Sequence, residues 1–325
     1  MTTRTRTLLC AAALAWSASG FAEDYPQKAV TIVVPAVAGG VVDVLARSLA
    51  EEMGKRMGQA VIVDNKPGAS GMLATQAVAR AKPDGYTVLV TYSTPIMNAP
   101  YMFSKVAYDV RRDLSFVSQI CTGQLVLAVN AKMVPATTMK DFVAWAAKSR
   151  GSVSYGSYGV GTGGHLMGAY LSQSRDLEMT HVAYKGEPPM LQDLVGGQIA
   201  WAMGSAGSLL PHFESGRLRP LAVLGDRRIH DIPQVPTMAE AGFPDPEFKT
   251  TGWIAMMAPA GVPPAVLARL EKEAIAAAQT TTMKARYQAY GMDVIAGTAA
   301  DFRRDFETTA PLFERLIKSS GAKAD

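Results

Sequence analysis

A glycine-rich segment in the middle of the chain has the spacing of a nucleotide-binding loop. In YGSYGVGTGGH, positions 155–165, the residues Gly159, Gly161 and Gly164 match the pattern G-x-G-x-x-G. In dinucleotide-binding folds this pattern lets the backbone approach a pyrophosphate at a helix N-terminus. Such a site also needs an apolar strand before the first glycine, and the preceding SVSYGSY is short and polar. We therefore predict that the loop binds no dinucleotide and that the protein has no cofactor.

Two other loops share this design, in which a predicted strand runs through glycine into a predicted helix. The three loops are PAVAGGVVD (35–43), SYGVGTGGH (157–165) and YKGEPP (184–189). Helix N-termini attract anions because their first N–H groups lack partners and because the helix dipole is positive there. A single loop of this kind is explained equally well as a tight turn without a ligand. Three in one chain favour an anion-binding site at the carboxyl ends of the strands.

Residues that could support catalysis are sparse. His165, His181, His212 and His230 are far apart in sequence without the spacing of metal ligands, so we interpret them as structural and expect no metal. Asp43 is the one acid set in a glycine loop. For its side chain, capping the helix or bracing the loop is favoured over contact with a ligand. Asp43 with His165 is the best acid–base pair available. It leaves one alternative open, an exported hydrolase or isomerase acting on a carboxylate.

Short apolar runs alternate with amphipathic stretches, which predicts an α/β fold. The predicted strands are 30–35, 60–64, 86–92, 124–130, 199–203, 218–224 and 252–259, with short strands in SVSYGSYG and MTHVAY. The predicted helices are 41–58, 71–82, 138–149 with Thr138 as N-cap, a stretch through HLMGAYLSQ, 187–195, 263–279 and 298–319. This alternation predicts a parallel sheet with right-handed crossovers. The proline-rich stretch 226–248 is interpreted as a connection.

The N-terminus has the features of a secretory signal peptide. Arg4 and Arg6 precede an apolar run at 8–16, and Gly20-Phe21-Ala22 forms a small-x-small cleavage site. The apolar run is too short for a membrane-spanning helix, which needs about 20 residues. We predict a signal peptide at 1–22, cleavage near Ala22 and export.

Composition bounds the mature protein. The 325 residues are 48% hydrophobic and 18% charged, enough for about two domains of roughly 150 residues each and a sizeable core. Cleavage removes two arginines, so 30 basic and 28 acidic residues remain and the net charge falls from +4 to about +2. Without a long basic run, nucleic-acid binding is not expected. Cys10 is also removed, which leaves Cys121 and no internal disulfide. These features together indicate an exported solute receptor.

Nine segments in order also resemble a known family over nearly the whole mature chain. They are YPQKAVTIVVP, GGVVDVLAR, GQAVIVDNKPGASG, AKPDGYTVLV, THVAYKG, LVGGQI, RLRPLAVL, VPTMAEAG and APAGVPPAVLARL. The chain resembles the Bug-type extracytoplasmic receptors of tripartite tricarboxylate transporters. The resemblance implies a periplasmic-binding-protein-like Venus flytrap, with two α/β domains around a ligand cleft. Domain 1 would comprise 23–125 plus 227–325, and domain 2 would comprise 126–226.

The resemblance also implies a small carboxylate ligand, a periplasmic location and a membrane permease as partner; we expect a monomer. The carboxylate would be held in the cleft by backbone N–H groups and hydroxyls. In domain 1 the implied ligand-binding residues are Val37, Ala38, Gly39, Gly40, Asp43, Ser93 and Thr94. In domain 2 they are Ser157, Tyr158, Val160, Thr162, Gly163, Gly164, Tyr184, Lys185, Gly186 and Ser205.

The chain departs from the family pattern at several of these positions. Ala36 and Ala38 stand where an aromatic residue and a proline are usual, and Tyr158 and Val160 replace a serine and an asparagine. Positions 204–205 carry no acid, although an aspartate that could pair with an amino group is common there. We therefore predict a ligand that lacks an amino group and has a larger apolar body, either aromatic or longer aliphatic.

Overall fold

The computed structural model of the protein describes residues 25–322. The predicted signal peptide and Cys10 lie outside these residues. Within them, none of the helices combines the length and the apolar character needed to cross a membrane.

Eleven strands within residues 25–322 form two sheets. In chain order they are β1 (Val30–Val34), β2 (Val61–Asn65), β3 (Thr87–Tyr92), β4 (Leu114–Gly123), β5 (Leu125–Asn130), β6 (Ser154–Ser157), β7 (Thr180–Ala183), β8 (Trp201–Ser205), β9 (Leu218–Val223), β10 (Gly252–Pro259) and β11 (Met292–Val294). The first sheet has the order β11-β4-β10-β3-β1-β2, and the second has the order β7-β6-β8-β5-β9.

Helices cover both sheets. In chain order they are α1 (Val41–Met57), α2 (Met72–Ala79), α3 (Ala99–Met102), α4 (Val110–Asp113), α5 (Met139–Lys148), α6 (Gly163–Ser174), α7 (Glu187–Gly196), α8 (Ala206–Glu214), α9 (Pro264–Ala278), α10 (Thr281–Ala289) and α11 (Ala299–Ser320). One turn of π-helix, Thr94–Asn98, precedes α3, and a 3-10 turn, Pro246–Lys249, precedes β10.

Both sheets are mixed, so the prediction of a purely parallel sheet is only partly right. In the first sheet β1 pairs in parallel with β2 and β3, whereas β10 runs antiparallel to both β3 and β4. In the second sheet β6 pairs in parallel with β7 and β8, and β5 is antiparallel to β8 and β9. β5 and β10, the strands by which the chain enters each sheet from the other, both run antiparallel to their neighbours. They need no helical crossover within their own sheet.

The chain passes between the sheets twice. It leaves the first sheet through Gln124, the single residue between β4 and β5, and returns along the proline-rich stretch that ends in β10. We call the parts of the molecule built on the two sheets the first lobe and the second lobe. The domain division expected above stays a prediction.

For three of the elements that the sequence analysis did not predict, β4, α8 and α10, the reason is identifiable. β4 reads LSFVSQICTG, in which polar residues interrupt the apolar run although most of the strand is buried. α10 reads TTMKARYQA, which has almost no apolar stripe, and α8 contains Pro211 inside the helix. The hydrophobic periodicity and the internal proline therefore disfavour these elements, which tertiary packing nevertheless stabilises.

Candidate functional site

A cavity of about 550 Å³ lies between the two lobes, where the chain crosses from one to the other. The crossing segments contribute Gln124 and Thr251 to its lining. Much of the remaining wall is apolar: Leu125, Met167, Trp253, Ile254, Met292 and Phe313. The volume and the apolar lining are those of a site for a small organic molecule.

Four helices present their N-termini to this cavity. Residues from the first turn of α1, α6, α7 and α8 all line it. In none of these four helices does the N-cap residue's own side chain hydrogen-bond to the first N–H groups of the helix. By contrast, α4, α5, α10 and α11 are capped by side chains, those of Asp109, Thr138, Thr280 and Thr298. The cavity thus faces helix ends whose first N–H groups can serve a ligand.

In the first lobe, the start of α1 combines with two hydroxyls. Val41 and Val42 line the cavity, and within the described residues no hydrogen bond is donated by either backbone N–H. Ser93 and Thr94 follow β3 at the neighbouring strand end and also line the cavity. Because β1 and β3 are adjacent parallel strands, these groups meet at one edge of the sheet. Together they form a wall of hydrogen-bond donors.

Asp43 supports this wall from behind. It is only 2% exposed and does not line the cavity. Its carboxylate accepts hydrogen bonds from Gly39 N (2.8 Å), Arg47 Nε (3.1 Å) and Asn65 Nδ2 (2.8 Å). Burial alone would raise the pKa of Asp43, but the Arg47 guanidinium, the Gly39 N–H and the Asn65 amide together lower it. Asp43 therefore braces the loop as a carboxylate, the role favoured from the sequence.

In the second lobe, Tyr158 covers the beginning of α6. A Cβ added to Gly163 would lie 3.3 Å from the Tyr158 hydroxyl oxygen, and one added to Gly164 would lie 3.1 Å from the tyrosine ring and 2.8 Å from Met203 O. The tyrosine thus needs both glycines in order to pack over this helix end. Burial, with a smaller contribution from Glu187, raises the pKa of Tyr158. The hydroxyl consequently stays protonated at neutral pH.

Glu187 occupies the beginning of α8. Its Oε1 accepts a hydrogen bond from Ser205 N (2.5 Å), and its Oε2 accepts from Ser205 Oγ (2.8 Å) and Ser208 Oγ (3.1 Å). All three residues line the cavity, and Glu187 is the only Asp, Glu, Lys, Arg or His among the described residues that do so.

Sequence reasoning missed this glutamate. Positions 204–205 carry no acid in the sequence, but Glu187 of α7 brings a carboxylate to Ser205 at the end of β8. A glutamate at the first position of α7, directly after a glycine loop, was the available signal.

Two buried amides line the same cavity with fixed orientation. Asn98 is 2% exposed and donates from Nδ2 to Gly161 O (2.7 Å); Gln124 is 4% exposed and donates from Nε2 to Leu224 O (3.0 Å) and Arg227 O (2.6 Å). These carbonyl partners require the nitrogens to point toward them. The oxygens, Asn98 Oδ1 and Gln124 Oε1, accept no hydrogen bond from the described protein atoms.

His165, His181 and Ser157 do not line the cavity. His165 and His181 stack with their ring centroids 3.9 Å apart, although they are 16 positions apart in sequence. Ser157 Oγ lies 2.7 Å from His181 Nε2 and donates to Gly159 O. Ser157 is fully buried, so this serine–histidine contact has no access to a substrate.

Neither member of the suggested Asp43–His165 pair lines the cavity, and each is bound to other partners, His165 Nδ1 accepting from Gly161 N. In residues 25–322 no three His, Cys, Asp or Glu side chains group to hold a metal.

The expected ligand-binding residues divide into two groups. Those that line the cavity are Ser93, Thr94, Tyr158, Gly163 and Ser205. Those outside its lining are Val37, Ala38, Gly39, Gly40, Asp43, Ser157, Val160, Thr162, Gly164, Tyr184, Lys185 and Gly186. Val37 and Val160 are 64% and 40% exposed, and Tyr184 donates to Asp193 Oδ2 at 2.7 Å. For both groups, contact with a ligand stays a prediction.

Comparison with known proteins identifies the architecture. The sequence profile described as "Tripartite tricarboxylate transporter family receptor" matches residues 45–321. The chain belongs to the Bug-type receptors of this family. BugT of Bordetella pertussis is 31% identical over 303 residues, which cover 93% of this chain and 92% of that protein.

Solved structures agree with this assignment. Rpa4515 of R. palustris with adipate is 30% identical, with a TM-score of 0.79 over 92% of this chain and 99% of that one. MatC of Rhodopseudomonas palustris with bound malate is 26% identical, with a TM-score of 0.75 over 90% of this chain and 100% of that one. The protein is thus a two-lobed solute-binding receptor and not an enzyme.

Proposed function

We propose that the protein is a periplasmic receptor that captures a small carboxylate in the cavity between its lobes and presents it to a membrane permease of the tripartite tricarboxylate type. The observation that carries the proposal is the uncapped N-terminus of α1, which meets the hydroxyls of Ser93 and Thr94 at one wall of an apolar cavity. The adipate and malate bound to the two structural neighbours are carboxylates of the expected size.

The carboxylate group is held by dipoles and not by a cation. No lysine or arginine is among the described residues that line the cavity. The N–H groups of Val41 and Val42 and the hydroxyls of Ser93 and Thr94 supply donors, and the dipole of α1 adds favourable potential. Such fixed donors cost little reorganisation on binding and become stronger when the lobes exclude water.

The rest of the ligand is apolar, either aromatic or longer aliphatic. Trp253, Phe313, Met167 and Met292 offer it a wall of aromatic and thioether groups, and methionine adapts to irregular shapes. The absence of an amino group, expected from the sequence, is not part of this proposal, because Glu187 supplies the acid that had been missing.

A proline substitution removes a single ligand donor while leaving the helix intact. Val41 is the first residue of α1, where proline is tolerated because its φ suits the helix and the N–H is not used there. The preceding Gly40 has φ −70° and ψ 161°, which is compatible with a following proline. The matched control is Thr281→Pro at the first position of α10, an exposed site away from the cavity lining.

Isothermal titration with a panel of aliphatic and aromatic carboxylates and their matching amides tests the proposal. We expect carboxylates to bind and their amides not to bind. Because one charge-assisted hydrogen bond is lost, Val41→Pro should weaken binding about tenfold or more, while Thr281→Pro binds as the unmodified protein does. Failure of every carboxylate to bind would refute the proposal, as would equal affinity of the two proline variants.

A further inference from the structure

We propose that Glu187 selects a ligand whose end remote from the carboxylate carries a hydrogen-bond donor, such as a hydroxyl or amino group, and that it excludes a second carboxylate from this end. This inference rests on the proposed function and specifies the ligand class of the same cavity. It concerns the second lobe, whereas the carboxylate itself is assigned to α1 in the first lobe.

The glutamate already fills an anion position of the protein. Its two oxygens receive the backbone N–H and the hydroxyl of Ser205 and the hydroxyl of Ser208, all at the start of α8. A ligand carboxylate would need those same donors. It would have to displace a charged side chain or lie beside it, and like charges in a desolvated site repel strongly.

The other helix end in the second lobe is covered as well. Tyr158 packs over Gly163 and Gly164 at the start of α6. With Glu187 on α8 and Tyr158 on α6, the second lobe offers a ligand few unoccupied N–H groups. The start of α1 in the first lobe lacks any such side-chain cover. The cavity is therefore asymmetric, with one wall suited to a carboxylate and the other bearing a carboxylate of its own.

Two further acceptors favour a donor on the ligand. Asn98 Oδ1 and Gln124 Oε1 belong to side chains that are 2% and 4% exposed, line the cavity and accept no hydrogen bond from the described protein atoms. Buried acceptors of this kind are costly unless a donor reaches them. These two amides and Glu187 line the same cavity from three different elements. A hydroxyl or amino group satisfies such acceptors, and an ionised carboxylate cannot.

A matched ligand series reads out this selection directly. Isothermal titration would compare hexanoate, 6-hydroxyhexanoate, 6-aminohexanoate and adipate, with benzoate, 4-hydroxybenzoate and 1,4-benzenedicarboxylate as the aromatic series. The variants are Glu187→Gln and Glu187→Ala. Glu214→Gln is the matched control, because Glu214 is an exposed glutamate at the far end of α8.

In the unmodified protein, we expect a donor-bearing acid in at least one series to bind about tenfold or more tightly than the dicarboxylate of equal length. Glu187→Gln should remove most of this difference by raising dicarboxylate affinity, and Glu214→Gln should leave it unchanged. Glu187→Ala tests the same shift should the glutamine variant fold poorly, as judged by thermal melting.

Tighter binding of dicarboxylates by the unmodified protein in both series would overturn the inference, and so would an unchanged preference in both Glu187 variants. Binding of no carboxylate to any variant would instead refute the proposed function itself.

Discussion

The side-chain nitrogen of Asn98 donates a 2.7 Å hydrogen bond to the backbone oxygen of Gly161 and thereby joins the two lobes. Asn98 ends the π-helical turn after β3 in the first lobe, and Gly161 lies in the glycine loop before α6 in the second. Gly161 has a φ of +74°, and a Cβ there would collide with Met102 of the first lobe. The bond therefore lies in a close contact between the lobes, at the edge of the cavity that Asn98 lines.

Removing this bond should favour the open form of the receptor. In Asn98→Ala the buried Gly161 oxygen loses its donor, at a cost of about 1–3 kcal/mol that applies only when the lobes are in contact. We expect carboxylate affinity to fall about tenfold in isothermal titration and the radius of gyration of the ligand-free protein to rise in small-angle scattering. The control is Asn130→Ala, which removes the buried hydrogen bonds from Asn130 Nδ2 to Leu194 O and Val195 O within the second lobe. Equal effects of the two variants would contradict this role.

The brace behind α1 should matter for stability as well as for binding. Asp43→Asn removes the charge that Gly39 N, Arg47 and Asn65 share, which we expect to cost about 1–3 kcal/mol of unfolding free energy. Denaturant unfolding measures this loss, and titration should show weaker carboxylate binding because the loop shifts. Asp64→Asn is the control, since Asp64 is a half-exposed aspartate paired only with Lys66. If Asp43→Asn bound carboxylates as tightly as the unmodified protein, Asp43 would have no influence on the binding site.

The loops of this receptor were more predictable from sequence than the cavity they surround. Strand–glycine–helix patterns located the starts of α1, α6 and α7 because a helix N-terminus has a local chemistry that glycine and an apolar period reveal. Ser93 and Thr94, which follow a buried strand, were implied by the family resemblance. Local sequence identified the groups that can hold an anion.

The rest of the cavity wall depends on contacts between residues far apart in sequence, which no local sequence pattern reveals. Glu187 reaches Ser205 across 18 positions, and Asn98 reaches Gly161 across 63. Trp253 and Phe313 join the cavity from β10 and α11, where each reads as an ordinary core residue. The sequence reading looked for an acid only at the end of β8, whereas the structure brings one there from α7.

Uncovering α6 should create a second anion position. Tyr158→Ala removes the side chain that packs over Gly163 and Gly164, so their N–H groups become accessible to a ligand. We expect dicarboxylate affinity to rise several-fold relative to a monocarboxylate of equal length, as measured by isothermal titration. Tyr158→Phe is the control: it keeps the ring in place and should change the ratio little. A ratio that is the same in both variants would show that the ring does not shield this helix end.

The stacked histidines should make the receptor less stable in acid. Burial, with a smaller contribution from neighbouring His181, lowers the pKa of His165 to about 4, and burial also lowers the pKa of His181. Between pH 6.5 and about 4 the unfolded chain therefore binds a proton that folded His165 does not, and stability falls as the pH falls. The stability contributed by neutral, buried His165 is fully present above pH 6.5. It is lost as the pH falls toward 4, by up to about 1.4 kcal/mol of unfolding free energy per pH unit for one group.

Urea unfolding at several pH values should show this slope reduced in His165→Gln and retained in His230→Gln, whose side chain is 95% exposed. Carboxylates contribute a further loss of stability in acid, since Asp43 also has a lowered pKa. That contribution is common to all three proteins and cancels in the difference between their slopes. Identical slopes in His165→Gln and the unmodified protein between pH 4 and 6.5 would assign the acid sensitivity to groups other than the stacked pair.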